Sequence, residues 1–336
     1  MSAGVPGAVV VSTGPGGQVE AAAGLADVST GGPLTAGHRF RIGSVTKIFV
    51  AALVLQLVAD GTLDLDAVAE PFLEDVTIRQ LLNHTSGLDD FDIDHATFWE
   101  PYRKDPDHRW ELEARDELLL VLAKPRLFSP GEGWAYHGSN YLALRLVVEE
   151  ATGVPLRDAL RRRVFEPLGL EKTDLVEGPL AGDCAHGYLA PDNPILPGGP
   201  GPVDVTGIDV PFHRAGGGVV STAGDVATLL RALLGGDLLP DRLRREMLDA
   251  VESDWEETDR YGLGIGEITA LMGRQTSTCG AAWGHLGFSL GYVAIALSSE
   301  DGKRQVVICA NGHPPEGDTD TFLDALGRLA WDCYCT

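Results

Sequence analysis

Between Ser44 and Gly61 the chain places apolar residues at Val45, Ile48, Phe49, Ala52, Leu53, Leu55 and Val58, the period of a helix with scarcely a polar face. A helix that is apolar on nearly all sides has to be buried on nearly all sides, so other elements must be layered around it. At 336 residues and 44% hydrophobic, the chain can build such a core without metal or disulfide support. The candidate layers lie at both ends of the sequence. Gly7 to Val11 and Val19 to Leu25, joined by Gly14-Pro-Gly-Gly17, predict a hairpin. Gly262 to Ile268, Tyr292 to Leu297 and Gln305 to Ala310 predict three more strands, the last two joined by an Asp301-Gly302 turn. A helix over Thr222 to Leu234, capped by Ser221 or Thr222, and a closing helix over Thr319 to Trp331 accompany them.

From about residue 70 to 214 the pattern changes to helices joined by irregular segments. Thr77 can cap a helix reaching Asn83, a second runs from Asn140 to Ala151 and stops at Gly153, and a third covers Leu156 to Phe165 before Pro167. Gly178 to Gly218 is rich in Gly and Pro, and long loops of this kind often form the wall of a site. The expected organisation is an α/β fold: a discontinuous sheet domain over 1–70 and 215–336, a mainly helical insertion over 71–214, and an active site between them.

The net charge is −23, and a surface this acidic repels phosphate backbones and anionic lipid. Nucleic acid is therefore not an expected partner. The longest apolar stretch, Ile48 to Ala59, is interrupted by Gln56 and is shorter than the roughly 18–20 residues of a membrane span. The N-terminus has no positive n-region, so no signal peptide is read; the expectation is cytoplasmic if Met1 is native and secreted if a leader preceded it. The five cysteines include no Cys-x-x-Cys pair, which argues against zinc, and Cys309 reads as a small buried hydrophobe in a strand. Without His-Glu-x-x-His, a Walker loop or Gly-x-Gly-x-x-Gly, no cofactor is implied.

Ser44-Val-Thr-Lys47 carries the chemistry. At i and i+3 the hydroxyl and the amine share one helix face, and a serine in the first turn sits where free N–H groups can hold an oxyanion. A buried Lys47 can lose its proton and serve as base. A Ser cap beside a snorkelling Lys is the plain alternative.

Further motifs follow in order: Leu81-Leu-Asn-His-Thr-Ser-Gly-Leu88, Tyr136 before a helix, Phe165-Glu-Pro-Leu-Gly-Leu170, Gly216-Gly-Gly-Val-Val-Ser-Thr-Ala-Gly-Asp225, Tyr261-Gly-Leu-Gly264 and Gly284-His-Leu-Gly-Phe-Ser-Leu-Gly-Tyr292. With Phe40-Arg-Ile-Gly-Ser-Val-Thr-Lys47, this set resembles the class C β-lactamase and D-alanyl-D-alanine carboxypeptidase family of penicillin-recognising serine enzymes, over about residues 5 to 333. The resemblance implies a β-lactamase/transpeptidase-like fold, an antiparallel sheet flanked by helices with an inserted all-α region. It implies Ser44 as nucleophile, Lys47 as helper base, Tyr136 as proton shuttle, His285 in the third motif with Leu286 and Gly287 beside the substrate, and an oxyanion hole from the N–H groups of Ser44 and Phe288. Lys47 and Tyr136 both stand open as the first base, as a coupled pair.

The chain departs from that pattern at Gly138, where the Tyr-x-Asn element has an Asn that binds the acyl-side amide. Its loss is expected to weaken amide orientation by about 1–3 kcal/mol. Asn140 reads as the start of a helix. His137 is a candidate donor or a solvated loop histidine, and Arg274 is a candidate carboxylate-binding residue or plain surface. His84 reads as a structural residue of its turn. Trp134, Trp283, Phe288 and His213 are candidates for the pocket wall or the core. The resemblance also implies a disulfide from Cys279 to Cys333 or Cys335, in an oxidising compartment. The family's usual first helix is not read in this sequence, which leaves one face of the closing helix open; a homodimer, or trimming of the chain ahead of residue 1, would account for it.

Two functions follow from the set: a peptidase or esterase cleaving a peptide-like or small-molecule acyl donor with water, or a transacylase passing the acyl group to an amine. A silent binding module of the same fold is the alternative outside enzymes.

Overall fold

The computed structural model describes residues 5–90, 95–105, 108–109, 112–193, 195–196, 201–208, 215–255, 258–271, 275–313 and 319–336. The apolar helix forms as α1, Thr46–Ala59, and every residue from Thr46 to Leu55 is buried. It starts two residues later than the periodicity suggests, because Gly43–Val45 is a separate 3-10 turn closed by Val45 N–H donating to Ile42 O. The chain continues with α2 (Ile78–Leu82), α3 (His95–Lys104), α4 (Ala114–Leu122), α5 (Ser139–Thr152), α6 (Leu156–Leu160), α7 (Ala223–Gly235), α8 (Asp241–Leu248) and α9 (Thr319–Cys335). Thr77 and Gln80 form the capping box of α2, and Thr222 caps α7 by accepting from Asp225 N–H.

Nine strands make the main sheet: β1 (Gly7–Gly14), β2 (Gly17–Asp27), β3 (Gly32–Pro33), β4 (Val251–Trp255), β5 (Thr258–Tyr261), β6 (Gly266–Ile268), β7 (Ala282–Ser289), β8 (Tyr292–Ser298) and β9 (Gln305–Ala310). Their order is β3-β2-β1-β9-β8-β7-β6-β5-β4, antiparallel throughout. Pairing Val9 with Cys309 joins the two ends of the sequence in one layer. Side chains alternate across it: Val307, Cys309, Ala294 and Ala296 join the core with α1 and α7, while Val306, Ile308, Ile295 and Leu286 pack on α9 through Phe322, Leu326, Ala330 and Trp331. Each of the Val, Ile, Leu and Phe side chains among them contributes about 1.5–3 kcal/mol on full burial.

Several elements differ from the sequence expectation. Gly262 to Ile265 turn instead of extending, with Gly262 N–H donating to Ile265 O, so that strand shortens to β6. β4, β5 and β7 are additional strands. β7 escapes a propensity argument because it contains Gly284 and Gly287, and both are required by close packing: a Cβ at Gly284 would lie 2.0 Å from Ala296 O. The helix expected over Leu156 to Phe165 ends as α6 and continues as a π turn, Arg161–Phe165. The inserted block also holds short strands, Asp174–Leu175 paired with Val219–Ser221, and Tyr188–Leu189 paired with Val203–Asp204. Cys279 is bridged to Cys335 rather than to Cys333, which is free; the bridge ties the end of α9 to the segment before β7. Among the described residues no helix is long and apolar enough to cross a membrane.

Candidate active site

The 3-10 turn Gly43–Val45 carries Ser44 and the first turn of α1 carries Lys47, whose amine is seated against the segment that begins at Gly216. Lys47 Nζ lies 3.0 Å from Ser44 Oγ and 3.0 Å from the carbonyl of Gly216. A Cβ at Gly216 would stand 3.1 Å from that nitrogen, so the glycine keeps the amine's seat clear. Lys47 is 3% exposed, and burial pushes its pKa down to about 7 against an opposing pull from Asp90. Near neutral pH the amine is then neutral in good part, with one N–H on Gly216 and a lone pair for the serine proton.

His285, on β7, is fully buried. Its Nδ1 faces the carbonyl of Leu286, which can only accept, so Nδ1 carries the proton and Nε2 is an acceptor. Two phenols meet that nitrogen, Tyr261 at 3.0 Å and Tyr136 at 3.4 Å. Burial, with the nearby Lys47 charge, pushes the imidazole down to about 3 and keeps it neutral. The Tyr136 ring stacks on Trp255 with centroids 5.3 Å apart, contacts the His84 ring at 4.5 Å, and lies 4.8 Å from Lys47 Nζ. His84 has a left-handed φ of 64°, and its carbonyl accepts from Ala135 N–H just before Tyr136. Asn140 Nδ2 donates to His84 Nδ1 at 3.0 Å, while Asn140 Oδ1 accepts from Ser86.

The backbones of the serine turn and β7 meet through two glycines. Gly43 has φ +52°, and a Cβ there would fall 2.6 Å from Phe288 N; a Cβ at Gly287 would fall 1.9 Å from Ile42 O. The Ser44 turn is thereby pressed against the backbone of Phe288, whose side chain is 40% exposed. Trp283 is buried and Trp134 half-buried. Gly138 immediately precedes α5, with Asp90 and His137 beside it. Arg274 and His213 lie outside the described residues.

The residues that sequence reasoning leaves without a role are Gly216, Trp255, Tyr261 and Asp90. Gly216 and Tyr261 stand inside quoted motifs, and that position was the available signal; Trp255 and Asp90 carry none.

Comparison with known proteins places this arrangement in context. The Beta-lactamase family model matches residues 1–328. Esterase EstB of Burkholderia gladioli is 32% identical over 75% of this chain and 71% of its own length. Penicillin-binding protein 4 of Amycolatopsis lactamdurans is 30% identical over 97% of this chain and 86% of its own. The crystal structure of a D-amino acid amidase from Ochrobactrum anthropi SV3 superposes with a TM-score of 0.81 at 26% identity, covering 98% of this chain and 94% of that one. With the sequence matched almost end to end, the fold shared and a serine–lysine pair at its centre, the chain belongs to the beta-lactamase family and is an enzyme of its serine hydrolase type.

Proposed function

We propose that the chain cleaves an ester or amide through an acyl-enzyme on Ser44. The observation that carries this reading is the buried Lys47 amine at 3.0 Å from Ser44 Oγ. Neutral Lys47 takes the serine proton as Oγ attacks the acyl carbonyl, and the oxyanion is held by the N–H groups of Ser44 and Phe288. The Tyr136 phenol gives a proton to the leaving group and is reprotonated from the Lys47 ammonium. Water, deprotonated along the same path, then releases the acid and restores the enzyme. Neutral His285, whose Nε2 lone pair is held by the Tyr261 phenol, forms with Leu286 and Gly287 the strand edge along which the substrate lies. The name of the esterase supports an ester donor, and that of the D-amino acid amidase an amide whose α-carbon is D-configured.

Gly138 favours a second reading, transfer to an amine, because weaker orientation of amide substrates leaves simpler acyl donors in use. Product analysis with p-nitrophenyl acetate, with and without an added primary amine, separates the two. Acetate alone supports hydrolysis and N-acetyl amine supports transfer, while turnover unchanged in Ser44→Ala contradicts both. The reading includes the division into 1–70 with 215–336 and 71–214, with the site at their seam. It also includes a homodimer burying the exposed Leu329 and Val19 on the α9 side of the sheet, which sedimentation equilibrium checks.

A further inference from the structure

His84 closes the turn after α2 with a left-handed φ of 64°. Glycine or asparagine holds that backbone with less strain, so closing the turn does not account for a fully buried imidazole there. Strained residues of this kind persist where their surroundings over-determine them, and they gather at active sites.

What surrounds His84 is the segment that carries Tyr136. The His84 carbonyl accepts from Ala135 N–H at 3.1 Å, and its Nδ1 accepts from His137 N–H at 3.4 Å. One residue thus holds the backbone on both sides of the tyrosine. Asn140, itself fully buried, fixes the ring: its Nδ2 donates to the His137 carbonyl at 3.3 Å and to His84 Nδ1 at 3.0 Å. A carbonyl can only accept, which identifies the Asn140 atom facing it as the amide nitrogen. His84 Nδ1 is therefore the acceptor, and Nε2 carries the proton. That Nε2 is buried without a hydrogen-bond partner among the described residues, and the rings of Tyr136, Tyr261, Tyr141 and Trp134 lie around the imidazole, with centroids 4.5, 5.1, 5.6 and 5.9 Å away. Burial, then the charge of Lys47, holds the imidazole well below its ordinary range and so neutral.

We propose that His84 is a positioning residue for the Tyr136 phenol, holding the tyrosine ring and the backbone on either side of it where its proton reaches the leaving group. This rests on the Ser44 acyl-enzyme reading, in which Tyr136 protonates the leaving group, and adds the residue that places that acid. His84 touches no reacting atom and acts through Tyr136 alone.

The test compares phenyl acetate with p-nitrophenyl acetate, which deliver the same acyl group. p-Nitrophenolate leaves without a proton, whereas phenolate is the stronger base and gains from one. kcat/KM reports acylation, so the shared deacylation step drops out. Asparagine adopts the left-handed φ and keeps the carbonyl for Ala135 N–H, so His84→Asn removes the ring and leaves the turn; a circular dichroism melt checks the fold. The variant is expected to lose about tenfold or more on phenyl acetate and less than about threefold on p-nitrophenyl acetate. Tyr136→Phe is expected to show the same pattern, and adding His84→Asn to it to change the ratio of the two esters by less than about twofold. Should His84→Asn not fold, Asn140→Ser, which keeps the ring and removes the amide that orients it, decides, with the ratio falling about threefold or more. An equal fall on both esters, an unmoved ratio in the folded variant, or a double variant whose losses multiply overturns the proposal. A ratio moved by Tyr136→Phe and not by the His84 variant rejects His84 alone. A ratio unmoved by Tyr136→Phe, or turnover by Ser44→Ala at the wild-type rate, overturns the reading of the site and this inference together.

Discussion

Lys47 loses solvation on folding and gains a hydroxyl and one carbonyl in return, a poor exchange for an ammonium and a good one for an amine. Its folded pKa of about 7 lies below the 10.5 of an unburied lysine, so the stability penalty is full below pH 7 and fades as pH rises toward 10.5. Lys47→Met is therefore expected to raise stability at pH 7 by about 0.5–2 kcal/mol while removing activity, read by urea titration beside an ester assay. In the wild type, kcat/KM should rise about tenfold per pH unit up to about pH 7 and then level. Tyr261 bears on the same chemistry from the other side. Its O–H holds the lone pair of His285 Nε2 at 3.0 Å, closer than Tyr136 at 3.4 Å. In Tyr261→Phe that lone pair passes to Tyr136, whose proton is then held away from the leaving group. The expected result is a fall in kcat of about tenfold to a hundredfold with KM little changed, measured by steady-state kinetics. No residue-level reading of the sequence shows this, because Tyr261 reaches His285 only once β5 and β7 are folded.

Among the elements, α1 and the β8–β9 hairpin were legible because their periodicity and their Asp-Gly turn are strong local signals. β7 was not, although it carries His285. Its glycines lower strand propensity for a reason that lies outside the strand: the backbone of Ile42 and Gly43 must come within contact of it. The same fact makes a prediction. Gly287→Ala puts a methyl 1.9 Å from Ile42 O and must separate β7 from the serine turn. We expect a loss of about 2 kcal/mol or more in stability and at least about a hundredfold in kcat, by urea titration and ester assay. That Ser44 and Lys47 stand side by side was legible from their i, i+3 spacing, whereas the roles proposed for them rest on the resemblance carried by the whole set of motifs. Asp90 was not, since only the packing of its loop on the start of α5 brings it beside Gly138.

In the molecule as a whole, the two ends of the sequence share one sheet, and the charge-poor centre of the site lies against it. His84 and His285 are both fully buried and held below their ordinary range, chiefly by burial. For His285, with a folded value of about 3 against 6.5 unfolded, the unfolded chain takes up the proton first as pH falls. Stability is then full above about pH 6.5 and is lost on the way down toward pH 3. Between pH 7 and 5 the wild type should lose about 2 kcal/mol more than His285→Gln, read by urea denaturation at both pH values. The central claim, that Lys47 activates Ser44 as the nucleophile, is tested most directly by labelling with a fluorophosphonate ester and mapping the adduct by mass spectrometry across pH. The account predicts one phosphonyl group, on Ser44, formed at a rate that rises through about pH 7 and collapses in Lys47→Met. An adduct on another residue, or equal labelling of Ser44→Ala, would contradict it.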